Sequence, residues 1–90
     1  MKIQIHYEEI QETVEVRDAA DALSRLKAEA AKRAPFLLRA IVKGMSDMGF
    51  AAEGVKRANS QFGRNDPIPG TPQQFLDWAV ERGYATILEP

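Results

Sequence analysis

Ile3, Ile5 and Tyr7 stand at alternate positions, with Lys2, Gln4 and His6 at the positions around them. This period-two pattern belongs to a strand with one face buried and one face wet. Thr13-Val14-Glu15-Val16-Arg17 repeats it, with Val14 and Val16 facing in. Glu8 to Glu12 lies between the two runs and is expected to form the turn of an antiparallel hairpin. The turn has no Asn-Gly or Asp-Gly pair, so its type stays open. A sheet with one apolar face is completed by helices laid over it, and the rest of the chain has to supply them.

Asp18 is a good N-cap, and Asp21 follows three residues later in a box-like position. Ala19, Leu23, Leu26, Ala30 and Ala34 then fall on one helical stripe, mostly alanine, which suits close packing against a neighbour. Lys27, Glu29, Lys32 and Arg33 lie off the stripe and are expected in solvent. Pro35 ends this helix or starts the next. Phe36 to Met45 is apolar apart from Arg39, Lys43 and Gly44, and is expected to be the central, most buried element. Ile41 and Val42 would suit a strand, whereas the length and the leucines favour a helix. Gly44 and Gly49 bracket a helix end and turn, and a third helix is expected over Phe50–Asn59. Gly54 within it costs about 1 kcal/mol relative to alanine and would mark a close helix crossing.

Residues 60–70 carry Gly, Asn, Asp and two prolines without periodicity, and are expected to be the most mobile internal loop. Thr71, Pro72 and Gln74 start a fourth helix with a capping box. Phe75, Trp78 and Ala79, joined by Val80 and the stem of Arg82, form its inner face, with Trp78 as a core anchor. Gly83 stops this helix in a left-handed cap, and Tyr84 to Leu88 reads as a third strand added to the hairpin. The expected fold is α+β: a three-stranded, mainly antiparallel sheet packed against three or four helices, in the order ββααααβ. Ninety residues suit a single domain.

No catalytic set emerges. The one histidine, His6, sits on the polar face of its strand without a fixed nucleophile beside it. Glu8, Glu9 and Glu12 read as a charged turn, because an acid–base pair needs one carboxyl desolvated. Gly63-Arg64-Asn65-Asp66 reads as turn chemistry. Without cysteine there is no disulfide framework or thiolate metal site, and a single histidine leaves no zinc ligand set. No cofactor-binding motif is present. The alternating start contrasts with the unbroken apolar run of a secretory signal, and no run approaches the roughly 18 apolar residues of a membrane span. The cytoplasm is the expected location, with no membrane partner.

The charge distribution is uneven although the net charge is only −1. Residues 1–24 are net −4, residues 25–64 net +6 and residues 65–90 net −3. One outcome is mutual neutralisation across the fold. The sharper one is an anion-binding or nucleic-acid face built from Lys32, Arg33, Arg39, Lys43, Lys56, Arg57 and Arg64.

Met48-Gly49-Phe50, between an apolar segment and a helix with Val55 and Ala58, resembles the Met-Gly-Phe loop of ubiquitin-associated (UBA) three-helix domains. The resemblance spans residues 36–83, about half of the chain. The connection through Pro72 is longer than in that family, and the flanking strands are not part of its fold. The resemblance implies a protein-contact turn at Met48, Gly49 and Phe50, completed by the region around Trp78, which in that family meets an apolar patch on ubiquitin. The leading expectation is a small non-enzymatic protein-interaction or regulatory module. The alternative is a nucleic-acid-binding accessory protein using the basic middle helices.

Overall fold

A computed structural model describes residues 1–7 and 10–90. The elements are β1 (Lys2–Tyr7), β2 (Ile10–Glu15), α1 (Ala19–Arg33), α2 (Phe36–Gly44), α3 (Asp47–Phe62), α4 (Pro72–Glu81) and β3 (Ala85–Glu89). The fold is α+β in the expected order. The sheet runs β2-β1-β3 and both pairings are antiparallel. Lys2 stands opposite Glu15 on one side and Glu89 on the other. The register with β3 shifts between Lys2 and Ile3, since Ile3 faces Ile87. Such a bulge bends an edge strand and increases its twist.

Two apolar clusters meet on α1. Ile3, Ile5 and Val14 from the sheet, with Val16 just past β2, pack on Ala22, with Leu26 alongside. Leu23, one position on, packs with Ala51 and Val55 of α3 and Phe75 of α4, and Leu26 reaches this cluster too. Leu23 is 1% exposed and Val55 0%. α1 is therefore a spine with the sheet on one side and α3 and α4 on the other. Its small residues, Ala19, Ala22 and Ala31, allow that approach from both sides.

The caps follow the sequence. The Asp18 side chain accepts from the Asp21 N–H at 2.9 Å, while Asp21 accepts from the Arg17 N–H at 3.0 Å. Thr71 Oγ1 accepts from the Gln74 N–H at 3.1 Å, and Gln74 Oε1 accepts from the Gly70 N–H at 2.7 Å. Gly83, at φ 81°, reverses the chain after α4. The bonds from the Asp21 and Gln74 N–H groups satisfy donors that the helix start leaves open, and those from Arg17 and Gly70 fix the residue before each cap.

Several sequence expectations are corrected. β2 covers Ile10–Glu15 rather than starting at Thr13, so Glu12 lies in the ladder opposite Ile5. Glu8 and Glu9, expected in the turn, lie outside the described residues. Lys27 is not solvated: its side chain is only 19% exposed, and its ammonium donates to the Met45 carbonyl and to Asp47 Oδ1. Glu29 is drawn in by Arg33 at 2.6 Å and Lys32 at 3.2 Å. α3 starts three residues earlier than expected and runs three residues further, so Met48, Gly49 and Phe50 are helix rather than turn. Gly54 marks no close crossing, since a Cβ there would meet nothing within 4 Å. Leu76, not Val80, joins the buried face of α4, and Trp78 is half-buried. The largest correction concerns α2, which is a helix without a single buried residue.

Candidate functional site

α2 combines a strongly apolar sequence with almost no cover. Phe36 is 83% exposed and Leu37 79%, and Leu38 and Ile41 are also exposed. Pro35 before the helix (ψ 155°) and Met45 after it (ψ 148°) both leave helical geometry, so α2 is broken from α1 and α3 at both ends. Its junction with α3 is held to α1 by Lys27, through the Met45 carbonyl and Asp47.

The helix separates two concavities. Leu38, Ile41, Val42 and Met45, spaced i, i+3, i+4 and i+7, line an open groove of about 1080 Å³. Ile3, Ile5, Leu23 and Phe75 also line it, so the core itself reaches its surface. On the α3 side it meets Phe50, Gly54 and Ala58 at four-residue intervals. Gly54 keeps that wall low, which accounts for a glycine in mid-helix with open space over it. Arg33, Glu53 and Arg57 supply charge to the lining.

On its other side α2 faces α1 across a cleft of about 480 Å³. Lys27, Lys32, Arg39 and Lys43 line this cleft, with Asp47 as its carboxylate. Arg39 and Lys43 are one turn apart on α2, and Lys27 and Lys32 project from α1. Asp47 is paired with Lys27, and Lys32 with Glu29. Hydrogen bonds from Arg33 and then Lys32 hold the Glu29 carboxyl below its ordinary pKa, so it stays ionised. Among the described residues, Arg39 reaches only the Lys32 carbonyl, at 3.5 Å.

The seven bases named from the sequence are therefore divided among separate places. Lys32, Arg39 and Lys43 share the cleft, while Arg33 and Arg57 line the groove. Lys56 is exposed on α3 and lines neither concavity. Arg64 is engaged elsewhere: its guanidinium lies 4.7 Å from the Phe62 ring centre and donates to Tyr84 Oη at 2.9 Å. Lys27, missed by the sequence reading, joins the cleft. Its signal would have been the Lys27–Lys32–Arg39–Lys43 set, visible only once two helices are laid side by side.

Comparison with protein-family models, with curated proteins and with solved structures finds no match to this chain.

The expected contact residues are also divided. Phe50 lines the groove, and both Met48 and Phe50 pack on the Leu23–Val55–Phe75 cluster. Gly49 sits in the first turn of α3, where its N–H donates to Ser46 Oγ at 3.0 Å. A Cβ on Gly49 would also lie 3.0 Å from that oxygen and would force the cap to move. The glycine of Met48-Gly49-Phe50 is thus explained by helix capping. His6 bridges strands, with Thr86 Oγ1 3.0 Å from one ring nitrogen and Gln11 Oε1 3.3 Å from the other. Among the described residues no three His, Asp or Glu side chains form a group that could hold a metal ion. No helix among them is long and apolar enough to cross a membrane.

Proposed function

We propose that this chain is a non-enzymatic protein-interaction or regulatory module of the cytoplasm, and that its groove receives a short amphipathic helix from another protein. The observation that carries this reading is α2: an apolar helix that buries none of its side chains and walls a groove reaching the core. Large exposed apolar surface beside a groove is typical of recognition surfaces. The size fits. A cylinder about 10 Å across with the volume of the groove is roughly 14 Å long, about nine residues of helix. Arg33 and Arg57 against Glu53 leave the lining net positive, which favours acidic residues flanking the partner's apolar stripe. Of the contact residues that the UBA resemblance implies, Phe50 contributes from the groove wall, while Met48 packs on the Leu23–Val55–Phe75 cluster.

The test is titration with a helical peptide carrying leucines at i, i+3, i+4 and i+7 and glutamates on its flanks. Saturable amide shifts at Phe50, Gly54 and Ala58, absent in Ile41→Glu, support the reading. No saturable binding, or equal binding by a lysine-flanked peptide and by Ile41→Glu, overturns it. A concentration-dependent doubling of mass without peptide would make a second copy the occupant instead.

Nucleic-acid binding is the second reading, favoured by the convergence of Lys32, Arg39 and Lys43 in one cleft. It requires a steep salt dependence, with a log–log slope of about −3 to −4 for four phosphate contacts. Negligible binding of mixed-sequence duplex at about 0.15 M salt, where screening extends only about 8 Å, would exclude it.

A further inference from the structure

We infer that the α1–α2 cleft is a binding site for a compact polyvalent oxyanion, of the phosphate or pyrophosphate class carried by a small molecule. The inference is independent of the groove, which lies on the opposite side of α2. Four cationic side chains, Lys27, Lys32, Arg39 and Lys43, line one concavity of about 480 Å³, and a single carboxylate, Asp47, lines it with them. That carboxylate already pairs with Lys27. Lys32 has Glu29, but Arg39 and Lys43 have no carboxylate partner among the described residues. Like charges converging across a helix–helix seam repel, and an anion between them converts that repulsion into attraction.

The parts suit such a ligand. Arg39 offers a planar fork of donors for a tetrahedral oxyanion, and the lysines act as mobile point charges around it. Asp47 is the first residue of α3, so the positive end of that helix lies at the cleft as well. The polar ties from Arg39 to the Lys32 carbonyl and from Lys27 to the Met45 carbonyl therefore both use side chains that the anion would touch. Occupancy should tighten the attachment of α2, an element that apolar burial does not secure.

The site separates from a diffuse basic surface by which residues it needs. Lys56 and Arg57 lie on α3 and line no part of the cleft. They are the natural control.

Sodium pyrophosphate is titrated into the full chain at constant ionic strength set with sodium chloride, and thermal unfolding and backbone amide shifts are followed. The expected result is a saturable rise in Tm that chloride does not reproduce, with shifts concentrated at Lys27, Lys32, Arg39, Lys43 and Asp47. Arg39→Gln with Lys43→Gln should weaken binding by about tenfold or more, the loss of charge-assisted hydrogen bonds. Lys56→Gln with Arg57→Gln should leave it unchanged. Both residues of the first pair are exposed, and circular dichroism checks that each variant stays folded. Should the first pair unfold, the localisation of shifts in the unaltered chain decides the matter. No anion-specific rise, or shifts spread equally over Lys56 and Arg57, overturns the inference. So does a short oligonucleotide that binds through Lys56 and Arg57 and is not displaced by pyrophosphate. In that case the basic residues serve a nucleic-acid surface.

Discussion

Asp66 ties together segments that local sequence patterns keep apart. Its carboxylate accepts from Trp78 Nε1 at 2.9 Å and from Arg82 through Nε at 2.9 Å and through Nη2. Its backbone is clasped by Asn59, whose Nδ2 donates to the Asp66 carbonyl at 3.0 Å and whose Oδ1 accepts from the Asp66 N–H at 3.0 Å. The Asp66 side chain is only 11% exposed. Hydrogen bonding by Arg82, and then by Trp78, holds its pKa below the ordinary aspartate value. The unfolded chain therefore takes up a proton at Asp66 more readily than the folded one. The contribution is complete above the ordinary aspartate pKa of about 3.9, and is lost as pH falls through the lowered folded value. Asp66→Asn should be less stable at pH 7 and should lose less further stability on acidification below about pH 4. Parallel acid profiles in thermal melts of the two proteins would contradict this. The sequence marked Asp66 only as a turn former, because its partners lie 12 and 16 residues away. Trp78 was legible as an anchor but not as a half-buried one. Its ring packs 5.7 Å from Phe75 and 5.3 Å from Tyr84, while its N–H has to reach Asp66. Trp78→Ala should lower stability by about 3 kcal/mol in urea unfolding, the low end for an aromatic truncation.

At the scale of elements, α2 and α3 separate what hydropathy can say from what it cannot. The existence of α3, the cap at Thr71 and the stop at Gly83 were legible, since each rests on residues adjacent in the chain, whereas α2 was only favoured as a helix over a strand because Ile41 and Val42 suit either. The burial of α2 was not legible. Phe36, Leu37 and Ile41 show that the segment needs a cover, but not that the same chain provides it. Amides of α2 should exchange faster than those of Ala51–Ala58, whose helix buries Ala51, Val55 and Ala58. The loop around Asp66, expected to be the most mobile segment, should show a protected Asp66 amide. Comparable protection throughout α2 would mean that the helix is covered in solution. The glycines of α3 make an opposed pair. Gly54 is helical with open space around it, so Gly54→Ala should raise stability by up to about 1 kcal/mol. Gly63, at φ 64°, closes the helix in the left-handed region, and Gly63→Ala should lower stability by about 1 kcal/mol. Denaturant midpoints for the two variants check both signs. Gly54→Ala should also narrow the groove and weaken peptide binding despite its gain in stability.

For the whole molecule, the fold class and element order could be read because alternation, helical periodicity and punctuation agree along most of the chain. The groove could not, because its lining comes from the sheet and all four helices, and no segment carries its outline. Its apolar surface should make the native protein brighten a hydrophobic dye such as ANS near neutral pH, and Leu38→Glu with Ile41→Glu should reduce that signal. A native protein that leaves the dye dark would show that the groove is closed in solution. The strand order has a consequence for how the molecule assembles. β1 is the middle strand, joined to β2 by a near neighbour in sequence and to β3 across almost the full described length. The first pairing closes a short loop, whereas the second closes a very long one, and entropy makes such a closure slow. During synthesis on a ribosome, the hairpin and α1 can form while one side of β1 still has unpaired N–H and C=O groups. Until β3 emerges, that bare edge can pair with any other extended chain that reaches it, so the interval before β3 arrives is when misassembly is most probable.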